Sequence, residues 1–160
     1  RGLPVVEIKV GNVTERVRIA EVIQETWRRE LRVGSTIATK EAKTVIQELQ
    51  TFDYSVAING WGADFADPVD VLEVFLGKGA NNQTGWANPE YERLIAEAAR
   101  TLDPERRFEV FQQAEAILLE EAPIAPLYFE AKTYLIHSAV KGWVLAPLRV
   151  RRYQYVWLEK

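Results

Sequence analysis

The chain contains no cysteine and only one histidine, and each scarcity closes off chemistry before any motif is considered. Without cysteine there are no disulfides, no thiolate nucleophile and no Cys-ligated zinc, although the redox compartment stays open. With His137 alone, a paired-histidine metal site is impossible, and a Ser-His-Asp arrangement would rest entirely on that side chain. Methionine is also absent, which carries no chemical consequence. The longest apolar stretch, around Trp143 to Leu148, is far below the ~20 residues that span a bilayer, so no membrane insertion is expected. The chain opens on Arg1-Gly2 with neither an initiator methionine nor a charged-then-apolar leader, which reads as a processed or shortened chain, soluble as given.

What is present is enough for one domain of ordinary size: 160 residues, 48% of them hydrophobic and 11% aromatic. Twenty basic residues against 23 acidic ones leave a net charge of -3, which demands neither nucleic acid nor an anionic membrane as partner. Arg149, Arg151 and Arg152 beside Tyr153 and Tyr155 mix basic and aromatic side chains, but no recognition motif accompanies them, and they read as a charged edge strand. No internal repeat or low-complexity linker divides residues 1–160, which are taken as a single domain.

Val5 to Val10 alternates apolar and polar residues, the period of a strand. Asn12 and Glu15 make a capping-box-like start to a helix with Ala20, Ile23, Trp27 and Leu31 on one face, ending near Arg32. Ser35 to Ala38 is a second strand candidate. Thr39 then caps a helix with Ala42, Val45, Ile46 and Leu49 at helical spacing. Tyr54 to Asn59 is a third, nearly continuous apolar strand. This β-α-β-α-β order predicts a parallel sheet with helices on its faces, and ligands of such sheets bind beyond the carboxyl ends of the strands. The run Gly60-Trp61-Gly62-Ala63-Asp64-Phe65-Ala66-Asp67-Pro68 leaves the third strand at that end.

Asp67-Pro68, Asn88-Pro89 and Asp103-Pro104 each pair a side-chain cap with proline at a first helical position. The second of these helices buries Tyr91, Leu94, Ile95 and Ala98, and the third Phe111, Ala114 and Leu118, flanked by Val110 and Ile117; both are expected to pack on the sheet. Pro123 to Tyr128, Thr133 to Ile136 and Tyr153 to Leu158 read as further strands.

The Gly60–Pro68 run resembles a loop of the oligopeptide- and dipeptide-binding proteins of ABC importers, extracellular solute-binding protein family 5. Asn81-Asn82-Gln83-Thr84-Gly85-Trp86 leading to Asn88-Pro89-Glu90-Tyr91 is similar to that family's Asn-Pro-x-Tyr/Phe helix start, as is the helix from Asp103 to Glu121 that runs on into Pro123 to Tyr128. The blocks keep the family's order over nearly the whole chain. The resemblance implies an α/β, periplasmic-binding-protein-like lobe with a mostly parallel central sheet and helices on both faces. It implies the carboxyl-terminal lobe of a two-lobe protein whose amino-terminal lobe is missing, extracytoplasmic in location and serving an ABC permease. It further implies that Asp64 pairs with the α-amino group of a bound peptide. Physically, a carboxylate in a water-poor cleft makes a charge-assisted hydrogen bond to an ammonium, Trp61 supplies an aromatic wall, and Gly60, Gly62 and Ala63 complete the loop.

Two positions depart from the family pattern: Glu41-Ala42 stands where many members carry Glu-Trp, and Ile58 where some peptide binders carry a cation. No cofactor, metal ligand set or catalytic constellation is expected. The competing readings are a folding or self-associating fragment that forms a homodimer without ligand, and a hydrolase using Asp64 and Asp67 with a metal or with His137 as base. Asp67 and Asp70 flank Pro68 as helix-start acids, Asp64 can instead form an Asx turn, Trp61 and Trp86 can instead be core or rim aromatics, and Trp27 and Trp143 serve packing.

Overall fold

The computed structural model describes residues 4–131, 133–144 and 152–159, and the chain falls into two compact units: Arg1–Trp61 with Ala80–Gly85, and Gly62–Gly79 with Trp86–Lys160. The first unit holds β1 (Val6–Gly11), α1 (Thr14–Thr26) running into a π-helical turn at Trp27–Leu31, β2 (Ser35–Lys40), α2 (Ala42–Gln50) and β3 (Val56–Ile58). Its strands form a parallel sheet in the order β2-β1-β3, with Val6 opposite Ser35 and Ile8 opposite Val56.

Alternation along β1 sorts its side chains between the two faces. Ile8 and Val10 join Ala20 of α1 and Ile58 in a buried cluster, with Ile23 and Trp27 packed on its margin. Lys9 points the other way. It is buried against α2, paired with Glu48 at 2.8 Å and donating to the carbonyl of Asp53. The helices therefore cover opposite faces of the sheet, as the α/β reading requires.

Local details differ from the sequence reading. The Asn12–Glu15 capping box does not form, because the Asn12 N–H extends the β1–β2 ladder to the Lys40 carbonyl at 2.9 Å and Val13 occupies the cap without a side-chain bond. Thr39 lies inside β2, opposite Val10, so Glu41 rather than Thr39 precedes α2. Leu31 is 61% exposed, since the wider π turn takes it off the apolar stripe.

The second unit holds α3 (Val69–Leu72), a 3-10 turn at Glu73–Phe75, α4 (Pro89–Ala98), α5 (Pro104–Glu121), β4 (Val140–Lys141), a 3-10 turn at Tyr153–Tyr155 and β5 (Trp157–Leu158). Asn88 accepts the N–H groups of Glu90 and Tyr91 at 2.9 and 3.0 Å, and Asp103 accepts that of Arg106 at 2.7 Å, so both caps form where the sequence places them. The buried faces of α4 and α5 are the predicted ones, and they pack against each other and Leu72 in a core of their own. Tyr91 is fully buried there, and its hydroxyl donates to the Leu72 carbonyl at 2.6 Å.

No strand forms over Pro123–Tyr128 or over Thr133–Ile136. Two prolines remove ladder donors from the first, and neither segment buries an alternating face: Leu127 is 51% exposed and Leu135 wholly so. The expected strand from Tyr153 to Leu158 contracts to β5, paired antiparallel with β4 through Lys141 and Trp157. Arg149 and Arg151 lie outside the described residues.

Candidate functional site

The three parallel strands end together, so the loops after Gly11, Lys40 and Ile58 issue from one edge of the sheet. Beyond β3, the Asn59 side chain donates to Gln83 Oε1 at 2.9 Å, and the Tyr54 hydroxyl donates to the Gln83 carbonyl, which ties the Ala80–Gly85 segment to this edge. Gly60 is exposed and Trp61 is 43% exposed. A Cβ placed on Gly60 would stand 3.6 Å from a terminal guanidinium nitrogen of Arg16. Arg16 is half-buried in the first turn of α1, and no hydrogen bond or ion pair holds its guanidinium among the described residues. Ala42, where the resemblance leads one to look for tryptophan, is the exposed first residue of α2.

The boundary between the units falls between Trp61 and Gly62, so Gly60 and Trp61 end the first stretch while Gly62, Ala63 and Asp64 open the second. Within the second unit the loop's three carboxylates have different fates. Asp67 receives both terminal nitrogens of Arg107, at 2.6 and 2.9 Å, and the Val69 N–H at 2.9 Å. The Arg107 guanidinium holds the Asp67 carboxyl below the ordinary aspartate range, with the Val69 N–H adding to the effect against partial desolvation. Asp70 is buried in α3 and accepts the Asp64 N–H at 3.2 Å. Asp64 itself is exposed, and its carboxylate has no hydrogen bond or ion pair among the described residues. The two helix-start acids are thus committed to the protein while Asp64 faces outward.

Other candidates resolve into packing. Trp86 donates from its indole to Glu121 at 2.6 Å and meets the Tyr91 ring edge-on at 5.0 Å. Trp27 borders the first core, and Trp143 sits against Tyr134 and Tyr153. His137 Nδ1 accepts the Ala139 N–H at 3.1 Å in the turn before β4, which occupies the nitrogen nearest the backbone. Arg16 escaped the sequence reading, and Asp70 appeared in it only as a helix-start acid. Arg16 did carry a signal, because a cation in the first turn of a helix opposes the helix dipole and calls for another reason to be there.

No protein-family profile matches the chain. Among curated proteins, it is 34% identical over 144 residues to the oligopeptide-binding protein OppA of Bacillus subtilis, covering 89% of this chain and 26% of that protein. It is also 34% identical to the dipeptide-binding protein DppE of Bacillus subtilis, covering 91% of this chain and 27% of that protein. The chain spans about a quarter of the length of these relatives. Among solved structures, the murein tripeptide binding protein MppA of Escherichia coli superposes with a TM-score of 0.89 at 26% identity, covering 98% of this chain and 31% of that one. OppA of Haemophilus influenzae in complex with RPPGFSPFR gives a TM-score of 0.87 at 25% identity over the same shares. The class is therefore a periplasmic-binding-protein-like α/β lobe of a solute-binding protein. In sequence and fold the chain is similar to part of the oligopeptide- and dipeptide-binding proteins.

Proposed function

We propose that this chain is the ligand-binding, carboxyl-terminal lobe of a peptide-binding protein that serves ABC-transporter uptake, without catalysis of its own. The observation that carries this reading is the outward carboxylate of Asp64, free of partners among the described residues while Asp67 and Asp70 beside it are consumed by Arg107 and by backbone N–H groups. A ligand ammonium supplies what Asp64 lacks, in a charge-assisted hydrogen bond. Trp61 lines the cleft, and Gly60, Gly62 and Ala63 allow a peptide backbone to approach closely.

Residues 1–160 act as one lobe that closes on an amino-terminal lobe belonging to the parent protein, which works outside the cytoplasm beside its permease. The names of two relatives, the oligopeptide-binding protein of Salmonella typhimurium and the murein peptide-binding protein of Escherichia coli, place them in the periplasm. No helix among the described residues is long and apolar enough to cross a membrane. The hydrolase alternative loses its second carboxylate, because Asp67 is bound on both oxygens by Arg107.

In the two-lobe protein, Asp64→Asn should weaken a tripeptide with a free amino terminus by roughly tenfold or more and leave its N-acetylated form unchanged, as measured by calorimetry. Equal loss for both peptides refutes the assignment. Alone, the chain covers one side of a ligand, so peptide binding to it should be weak or undetectable. A second reading, self-association of the isolated chain, is favoured by Phe129 and Leu135, whose side chains stand wholly exposed. Sedimentation at high concentration decides it, a monomer being the outcome that removes it.

A further inference from the structure

Asp70 is the only acidic side chain among the described residues that is less than a tenth exposed, at 2%. Burying a carboxylate is costly unless the structure uses it. Its Oδ1 accepts the Asp64 N–H at 3.2 Å, and its own N–H donates to the Asp67 carbonyl at 3.1 Å. The backbone from Asp64 to Asp70 is thereby closed into a loop around one buried charge. Arg107 grips the loop from the other side through Asp67 and lies over the Phe111 ring at 4.7 Å, fixing it to α5.

We propose that Asp70 is the positioning residue for Asp64, holding its backbone so that the carboxylate projects outward and adding a second, buried negative charge that favours a ligand with a cationic amino terminus. This rests on the reading of Asp64 as the ammonium anchor. The ligand touches Asp64 alone. Asp70 acts through the peptide unit of Asp64 and through its field, which is screened less than that of an exposed acid because it lies out of water.

Two substitutions separate the parts of this role. Asp70→Asn keeps an acceptor oxygen and the side-chain volume but removes the charge, whereas Asp70→Ala removes both. In the complete two-lobe protein, titration with a tripeptide in free and N-acetylated forms should show the ratio of the two affinities falling roughly tenfold in Asp70→Asn and further in Asp70→Ala. A merely structural role would lower both affinities together and leave the ratio alone. Hydrogen exchange supplies the second readout: the Asp64 amide should stay protected in Asp70→Asn and lose protection in Asp70→Ala. Where Asp70→Ala fails to fold, the ratio in Asp70→Asn decides. An unchanged ratio in Asp70→Asn, with Asp64→Asn altering it, overturns the role of Asp70 alone. An unchanged ratio in Asp64→Asn overturns the reading of Asp64 and this inference with it.

Discussion

Arg107 and Asp67 meet fork to fork, Nη1 to Oδ2 at 2.6 Å and Nη2 to Oδ1 at 2.9 Å, across 40 residues of sequence. The same guanidinium donates from Nε to the Ala98 carbonyl at 3.3 Å, so one side chain joins the loop before α3 to the end of α4 and the start of α5. Asp67 is titratable and its folded pKa is lowered. The stabilisation it provides is therefore present above the unfolded aspartate value, about 4, and disappears as the pH falls through the lower folded value. Asp67→Asn should cost about 1 kcal/mol at neutral pH, a modest figure because the side chain is 27% exposed to screening solvent. The gap between thermal melts of the two proteins should begin to close below about pH 4 and vanish once the pH is below the folded value. A constant gap down to pH 2 would mean that the pair contributes nothing through charge.

Tyr91 tests the α4–α5 core. Its ring is fully buried and its hydroxyl bonds the Leu72 carbonyl, while burial raises its pKa and keeps the phenol neutral through the accessible pH range. Tyr91→Phe should destabilise by about 1–2 kcal/mol in denaturant titrations without a change in m-value, since one bond is lost and no cavity forms.

Gly142 tests the β4–β5 ribbon. Its φ is +73°, and a Cβ there would fall 1.8 Å from the Tyr155 carbonyl oxygen, a position no rotamer change relieves. Gly142→Ala should unpair the ribbon and expose the last residues to limited proteolysis, at a cost of roughly 2 kcal/mol or more. Wild-type resistance in the variant would contradict the pairing.

Lys9 tests the face of the sheet under α2. Its ammonium is shared between Glu48 and the Asp53 carbonyl, and Glu48 is also held by Lys40, the two lysines together lowering the Glu48 pKa. Lys9→Ala takes one of its two lysines from Glu48 and leaves a void, so it should lower Tm by more than Lys9→Met, which refills the space. The paired change Lys9→Met with Glu48→Leu should recover much of the loss. If Lys9→Ala is no worse than Lys9→Met, the buried pair is not what holds α2 on this face.

These residues also mark where the sequence could be read and where it could not. Asn88 and Asp103 were legible because a cap followed by proline is a local arrangement, complete within four residues. The buried faces of α4 and α5 were legible for the same reason, but their partner was not, because periodicity names a face and never what covers it. β4 escaped because two residues pairing with a distant strand leave no pattern. Lys9 reads as the solvent side of an alternating strand, and only Glu48, 39 positions on, makes it an interior residue. At the site, the loop itself was plain, yet Asp67 and Asp70 look alike in sequence as acids at a helix start. Their different partners, a guanidinium for one and a peptide N–H for the other, exist only once the chain has folded.

The division of the chain bears on how it can be cut. It leaves the first unit after Trp61, returns at Ala80 and departs again after Gly85. Neither unit is an unbroken stretch of sequence, so neither can be expressed as a simple truncation, exchanged as a cassette, or released by one cleavage. During synthesis, the first unit is not complete until Gly85 has emerged, although its last strand closes at Ile58.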